Sequence, residues 1–244
     1  MKYILWCITG AGAYIRDITR VFSRVKNEYM VKITIAFSKW GFEIARLYGI
    51  LRSLREISSG GYMEEWLIGD NGFYFVGRIN MHKYDLVVIA PATSNSIAKM
   101  VYGIADTLPT LIFAEAGKSG IPVIVFPSDT PSSNGLMVSA APCYVDRGLC
   151  KYSVKEISCQ ALQYCPVDAI VIYDGKPHID YSKCIGCGIC VNHCPYNAIK
   201  CWEKITLKPR PLDLENIKKL SLFENVYVVS SIEQLHETIK KLLR

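Results

Sequence analysis

Cys184, Cys187, Cys190 and Cys194 follow the spacing C-x2-C-x2-C-x3-C, and Pro195 comes directly after them. Thiolates three residues apart on a tight loop carrying Gly186 and Gly188 can converge on the corners of one cuboidal [4Fe–4S] cluster. In this pattern the fourth cysteine, locked by the proline behind it, leads the chain away toward a second cluster. The spacing therefore predicts a partner half, and one stands upstream. Cys165-Pro-Val-Asp-Ala-Ile repeats Cys194-Pro-Tyr-Asn-Ala-Ile, and Val145-Asp146-x-x-x-Cys150 repeats Ile179-Asp180-x-x-x-Cys184. The duplication marks a two-half module over residues 143–203.

The halves are unequal. In the second, Cys184, Cys187 and Cys190 are expected to hold one cluster together with Cys165 from the first. In the first, aligning Cys150 with Cys184 and Cys165 with Cys194 leaves five extra residues and puts Ser153 where Cys187 would be. Cys159 is the one cysteine between. The natural ligands of a second cluster are Cys150, Cys159 and Cys194, with Cys143 the best candidate for the fourth place. The competing reading is a decayed half that keeps its fold without metal, with Cys143 and Cys159 serving as small buried apolar residues. As a whole the module resembles a bacterial-type ferredoxin with two [4Fe–4S] clusters.

Half of the 244 residues are hydrophobic, enough for one domain of roughly 130–150 residues and a small one of about 60. No uninterrupted apolar run reaches the ~18 residues that cross a bilayer. Met1–Gly10 is too short for a signal peptide and reads as a first strand, so a cytoplasmic, non-membrane protein is expected. All of the ten cysteines but Cys7 fall within residues 143–201. That clustering favours metal ligation in a reducing compartment over a disulfide framework. Cys7 lies in a buried-strand pattern and reads as core; Cys201 has no assignment. The net charge of +6 is modest. Its Lys and Arg residues are spread over helix faces, without the basic and aromatic stripe of a nucleic-acid surface. They read as solvated faces, with docking of an acidic electron carrier as the weaker alternative.

The elements ahead of the module alternate. Lys2–Ile8 is an apolar strand, Thr9-Gly10-Ala11-Gly12 a turn, and Ile15, Ile18, Val21, Phe22 and Val25 fall at helical spacing. Val31–Phe37 is a β-branched strand that ends at Ser38 and Lys39, and Tyr84–Ala90 is a buried strand followed by Pro91-Ala92-Thr93-Ser94-Asn95 and a helix. Ile121–Pro127 is a further strand. This order predicts an α/β fold with a doubly wound parallel sheet, into which an α+β ferredoxin-like module is inserted. A glycine turn at a helix N-terminus presents backbone N–H groups suited to a phosphate, although many such turns only bring helix and sheet together. Ser38 reads equally well as a phosphate contact or a plain N-cap. The aromatic residues Tyr62, Trp66, Phe73, Tyr74 and Phe75 are open to three readings: core, oligomer contact, or wall over a planar cofactor.

Pro-Ala-Thr-Ser-Asn-Ser-Ile-Ala-Lys at 91–99, followed by Gly-Ile-Ala-Asp-Thr-Leu at 103–108, resembles the signature of the homo-oligomeric flavoproteins that include the flavin-containing cysteine decarboxylases. The resemblance covers roughly residues 1–130. It implies FMN held by Thr9, Gly10, Ala11, Gly12, Ser38, Lys39, Ala92, Thr93, Ser94 and Asn95, with Ser38 and the first turn on the ribityl phosphate and Thr93–Asn95 facing the ring. The decarboxylase activity does not carry over: the matching histidine is missing, and Pro131, Asn134 and Met137 match its Pro-x-Met-Asn-x-x-Met-Trp segment only in part. With a ferredoxin module behind the flavin domain, the whole chain is similar to the archaeal iron–sulfur flavoproteins assigned as dihydromethanopterin reductase (acceptor).

That resemblance implies an oxidoreductase passing electrons from ferredoxin or another low-potential donor through [4Fe–4S] clusters to FMN and on to a dihydropterin. The alternative is an electron-transfer flavoprotein that relays electrons to a protein partner and has no small-molecule substrate. No second glycine fingerprint with an acidic residue ~20 positions on points to NAD(P)H. The family likeness also implies a homo-oligomer, a trimer or a multiple of trimers. The expected division is a flavin domain at 1–140, a ferredoxin-type domain at 141–203, and a strand and helix at 204–244 returning to the flavin domain. Ser231-Ile-Glu-Gln234 resembles a capping box on that last helix, where His236 is expected to be exposed.

Overall fold

The computed structural model describes residues 1–132, 134–153 and 158–244. The chain begins β1 (Lys2–Ile8), α1 (Ile15–Glu28), β2 (Val31–Phe37), α2 (Lys39–Leu47), α3 (Leu51–Ile57) and β3 (Trp66–Ile68). A 3-10 turn over Gly69–Phe75 leads to α4 (Gly77–Asn80), β4 (Leu86–Ala92), α5 (Ser94–Val101), α6 (Leu108–Lys118) and β5 (Val123–Pro127). The cysteine-rich region contributes β6 (Met137–Ala140), β7 (Tyr144–Val145), α7 (Gln160–Gln163), β8 (Ile170–Tyr173), β9 (Lys176–Ile179), α8 (Ile189–Asn192), β10 (Ile199–Lys200) and β11 (Lys204–Leu207). The chain closes with α9 (Pro211–Leu220), β12 (Val226–Val228) and α10 (Ile232–Leu243).

Six strands form one parallel sheet in the order β12-β5-β4-β1-β2-β3. Successive side chains of a strand point to opposite faces, and β1 shows what that does. Ile4, Trp6 and Ile8 enter one core with Ile15, Ile18, Phe22 and Val25 of α1 and with Leu235 and Ile239 of α10. Leu5 and Cys7 enter the other, with Ile97 and Met100 of α5 and Ile112 and Ala116 of α6. Both faces are covered, which makes the sheet doubly wound and explains its near-continuous apolar strands. Trp6 anchors the first core: its ring stacks on Phe22 at 3.9 Å and its indole N–H donates to the Ala90 carbonyl at 2.6 Å. Burying a side chain of this size contributes upward of about 2 kcal/mol.

The C-terminal segment lies on this sheet. β12 pairs in parallel with β5, and α10 packs on α1. The Ser231 hydroxyl caps α10 by accepting from the Gln234 N–H at 3.1 Å, while the Gln234 side chain reaches the Ser230 N–H at 2.9 Å. His236 is not exposed as its helix position suggests. It turns under α10 toward α1, with Nε2 3.3 Å from Glu28 Oε2. The aromatic stretch divides: Trp66 and Phe75 pack against the two cores, whereas Tyr62 and Tyr74 stand in solvent.

The cysteine-rich region forms small antiparallel pairs, β8 with β9, β7 with β10 and β6 with β11, around a core of Ala161, Ile170 and Ile199. Among the described residues, no helix is long and apolar enough to cross a membrane.

Candidate cofactor sites

At the carboxyl edge of the parallel sheet, where ligands of open α/β folds sit, a cavity of about 310 Å³ opens. Two turns line it, Gly10–Ala13 ahead of α1 and Thr93–Asn95 ahead of α5, together with Ser128, Asp129 and Ser139. Thr9 ties the turns together from below. It is buried, its hydroxyl donates to the Pro91 carbonyl at 2.8 Å, and its oxygen accepts from the Thr93 N–H at 2.9 Å. Thr93 in turn caps α5, accepting from the Ser96 N–H at 3.2 Å. Gly10, Ala11, Gly12, Thr93, Ser94 and Asn95 therefore meet in one place, with Thr9 acting as a strut beneath them.

Three of the residues grouped with them in the sequence border this cavity at the same sheet edge without lining it, Ser38 through its N–H on the Ile8 carbonyl at 3.0 Å. Ser38 caps α2 through the Gly41 N–H at 2.9 Å. Lys39 is exposed, and Ala92 is fully buried in β4, its carbonyl accepting from the Ser128 N–H at 2.8 Å. Sequence reasoning missed Ala13, Ser128, Asp129 and Ser139. Ser128 and Asp129 directly follow the strand β5, the same strand-end position that singled out Ser38, and that signal could have found them.

The wall is made of backbone N–H groups, short hydroxyls and one amide, which suits a phosphorylated, hydrogen-bonding ligand. Asp129 is the one acid on it. Burial pushes its carboxyl up; the Ser128 hydroxyl at 2.9 Å pulls it down, Asp213 pushes it up again, and the Ser94 backbone and Arg210 pull it down. The net direction is upward, toward a neutral group that tolerates an anion beside it. FMN fits this wall.

The second cavity lies in the cysteine-rich module. Cys165, Cys184, Cys187 and Cys190 line it with Ile170, Ile179 and Ile185, leaving a small apolar space. Burial pushes the Cys190 thiol up to about 11, with Cys187, Cys184 and Cys165 as like-charged neighbours. Backbone N–H groups point at the sulfurs, Ala169 N to Cys165 Sγ at 3.2 Å and Gly186 N to Cys184 Sγ at 3.5 Å. Among the described residues no three metal-binding side chains come close enough for a single ion. Four thiolates spread around a space that backbone donors face fit a cuboidal cluster, which keeps its ligands farther apart than one ion does.

Cys150, Cys159 and Cys194 gather on the other side of the module. Burial raises the Cys159 thiol, the Leu162 N–H lowers it, and Cys150 and Cys194 raise it further as neighbours. Cys143 is not with them. It lines the cavity of Cys165, Cys184, Cys187 and Cys190, and its sulfur is bonded to Cys201. The expected fourth-ligand role of Cys143 in the first half is therefore corrected: the backbone turns it to the opposite side, and a disulfide uses its sulfur. The same disulfide accounts for Cys201, and burial pushes the Cys7 thiol up in the sheet core.

The two cavities are linked through α2. Arg46 at its end donates to the Tyr181 carbonyl at 2.8 Å and to the carbonyl of Cys184. Behind it Gly49 and Gly186 meet, both left-handed with φ of +68° and +60°, so closely that a Cβ on either would overlap backbone of the other loop. Arg16 lies 3.8 Å over the Trp202 ring and donates to the Tyr48 carbonyl at 3.0 Å. The Tyr48 hydroxyl sits against Gly12 of the first cavity and donates to the Ala140 carbonyl.

Residues 1–141 match the family described as Flavoprotein, and residues 177–200 match the 4Fe-4S binding domain. The chain is 35% identical over 239 residues to dihydromethanopterin reductase (acceptor) of Methanosarcina mazei, covering 96% of this chain and 97% of that one. It is 38% identical over 230 residues to the protein of the same name from Methanocaldococcus jannaschii, covering 93% and 91%. The chain belongs to the dihydromethanopterin reductase (acceptor) family. Its fold is shared with Burkholderia xenovorans DmrB, solved in complex with FMN and described as a cubic protein cage for redox transfer. That match has a TM-score of 0.62 at 24% identity, over 99% of this chain and 95% of that one. The FMN-dependent cysteine decarboxylase TvaF from thioviridamide biosynthesis matches at a TM-score of 0.52 and 13% identity, over 100% and 99%. At such identities these structures speak for the fold alone. As a member of the dihydromethanopterin reductase (acceptor) family, the chain joins a flavoprotein domain to a [4Fe–4S]-binding domain, the make-up of an iron–sulfur flavin oxidoreductase.

Proposed function

We propose that the protein reduces a dihydropterin of the dihydromethanopterin type with electrons that enter through its cysteine-rich module from ferredoxin or another low-potential donor. The observation that carries this reading is the short link between the cavities: Tyr48 touches Gly12 on the flavin side, and its neighbours Gly49 and Arg16 touch the Gly186 and Trp202 of the cluster side. Reduction of a dihydropterin needs two electrons and two protons, whereas a ferredoxin delivers one electron at a time. FMN, when bound, supplies the conversion, accepting electrons singly and passing on a pair as hydride.

In this reading the residues of the chain divide the work. Backbone N–H groups of the Gly10–Ala13 and Ser94–Asn95 turns hold the phosphate and the polar edge of the flavin. Asp129, its carboxyl raised chiefly by burial, is the one acid on this wall and the group placed to exchange a proton with the substrate. Cys165, Cys184, Cys187 and Cys190 hold the inner cluster, and Arg46 fixes their loop against α2. Residues 1–140, 141–203 and 204–244 act as flavin domain, electron-entry module and closing segment. Copies of the chain assemble as a trimer or a multiple of trimers.

The test is anaerobic. Protein carrying iron and FMN is reduced stoichiometrically, and flavin absorbance is followed on adding dihydromethanopterin or an oxidised protein acceptor. Reoxidation by the dihydropterin with formation of the tetrahydropterin is expected; reoxidation by protein acceptors alone would favour the carrier role and overturn the reading.

A further inference from the structure

We infer that the Cys143–Cys201 disulfide is a redox-active centre: low-potential electrons entering the module reduce it to a dithiol, and Cys201 passes them on to the disulfide of another molecule. The inference rests on the reading that electrons enter through the cysteine-rich module, and on nothing proposed about a pterin. Its ground is where the two sulfurs stand. Cys143 is 2% exposed and lines the apolar space of Cys165, Cys184, Cys187 and Cys190. Cys201 is partly exposed and lines an open groove of about 570 Å³, which Cys187 and Gly188 of the cluster loop also border. The bond therefore runs from the cluster cavity to the surface.

Both cysteines are held to the cluster loop. The Tyr181 hydroxyl, just ahead of Cys184, donates to the Cys143 carbonyl at 2.9 Å. Trp202, which follows Cys201, is left-handed with φ of +56°, a conformation that bulky residues rarely adopt. Its ring lies so close to Gly188 that a Cβ there would stand 2.8 Å from it, and its indole N–H donates to the Leu47 carbonyl at 3.5 Å. Backbone strain of this kind persists only where surrounding contacts hold it, and it collects at functional sites.

A staple needs none of this. Cys143 lies between β6 and β7 and Cys201 between β10 and β11, so the bond crosses the neck where the chain enters and leaves the module. That neck is already closed on both sides by antiparallel pairing, Ala140 opposite Lys204 and Tyr144 opposite Lys200. A crosslink between two formed ladders has no use for a cluster cavity at one sulfur and an open groove at the other. Disulfides kept beside a source of reducing electrons are usually transient, catalytic or redox-sensing.

The chemistry balances. Two electrons, delivered one at a time by the low-potential donor, and two protons from solvent in the groove break the S–S bond and leave a thiol on each cysteine. Arg16 and Lys200 outnumber Glu203 on the groove and favour the Cys201 thiolate. That thiolate attacks one sulfur of an incoming disulfide, and the other sulfur leaves as a thiol. The Cys143 thiolate then attacks Cys201, restores the internal bond and releases the second thiol. The net change converts one disulfide, two electrons and two protons into two thiols.

The experiment uses the full chain carrying iron and FMN, under anaerobic conditions. The protein is first treated with oxidised glutathione, then reduced with methyl viologen radical, and the reductant is removed. At each stage a sample is quenched in acid, alkylated in denaturant and mapped by peptide mass spectrometry, while EPR follows the reduced [4Fe–4S] signal. The Cys143 and Cys201 peptides should be linked at first, and both should be alkylated once the signal has developed. Renewed oxidised glutathione should restore the link and release glutathione. Cys201→Ser should keep its iron, FMN and reduced signal and lose that release. Cys143 and Cys201 still linked in protein that shows the reduced signal would overturn the inference, as would two thiols that stay free after oxidised glutathione. Equal loss of the link in Cys190→Ser, which lacks an inner-cluster ligand, would overturn the route. Absence of the reduced signal would strike the electron-entry reading itself, and the inference with it.

Discussion

In the second half of the module four cysteines surround one apolar space, and the same loop is held by Arg46 and by the Gly49–Gly186 contact against the end of α2. In the first half Cys150, Cys159 and Cys194 gather, with Ala161 buried at the place in α7 that Cys190 takes in α8. The backbone hydrogen bonds of the two halves agree to within a few tenths of an ångström, so the difference does not come from the fold. It comes from side chains and from what each half faces. The half turned toward the flavin domain has the complete set of thiolates and the rigid docking; the half turned away has lost one thiolate and gained five residues. A relay tolerates change at its outer station more readily than at the station next to the flavin, where position sets the distance of transfer.

The largest effect expected from this contrast is functional. Cys190→Ser should abolish flavin reduction by a protein donor and by dithionite-reduced clusters alike, whereas Cys159→Ser should slow reduction by the protein donor and leave inner-cluster reduction by dithionite intact. Stopped-flow absorbance of the flavin separates the two; equal loss in both variants would erase the distinction between inner and outer sites. Next comes the docking itself. Arg46→Ala removes two charge-assisted hydrogen bonds to the second-half loop, and about 2–3 kcal/mol of stability should go with them. Gly186→Ala, which puts a methyl group against the Leu47 carbonyl in left-handed backbone, should cost about 2 kcal/mol. Chemical denaturation followed by cluster absorbance measures both, and an Arg46→Ala protein as stable as the parent would show that the docking is incidental.

A smaller effect is expected at the cavity that both halves serve. The Asp129 carboxyl is raised above its ordinary value, chiefly by burial. A phosphate therefore binds best where that carboxyl is still protonated, and affinity should fall as pH rises through its titration. FMN titrations across pH should show this fall. Asp129→Asn should flatten the profile. The same sign applies to the free protein: a raised carboxyl adds stability below its unfolded-state pKa and loses it as pH rises through the folded-state value. The smallest effect is that of Ser38→Ala, which removes an N-cap and should lower stability by about 1 kcal/mol. A far larger loss of FMN affinity in Ser38→Ala would return Ser38 to the phosphate.

Fold class was readable because β1, β2, β4 and β5 are apolar on both faces and alternate with amphipathic helices, a pattern that a sheet covered on both sides imposes on any chain. Cys184, Cys187 and Cys190 were equally legible, since three thiolates that must meet on one loop are constrained in sequence as well as in space. The Gly10–Gly12 and Thr93–Asn95 turns were found by resemblance, while Ser128 and Asp129 were passed over because a serine and an aspartate after a strand are common in turns of every kind. Ser38 shows the converse: a hydroxyl at a strand end can serve a helix and a ligand alike, and the Gly41 N–H shows the helix cap. His236 was misjudged because position along α10 says nothing of which neighbour covers it; the covering residue, Glu28, lies on a helix far away in the chain.

The order of these features divides along one physical line. Local spacing determined which cysteines can share a loop, which turns can present N–H groups, and which strands must be buried, because each depends on residues a few positions apart. Tertiary structure decided that Cys143 faces Cys201 and that Arg46 holds the cluster loop. Each of these depends on segments brought together by the packing of whole elements, and the spacing within any one segment carries no trace of it.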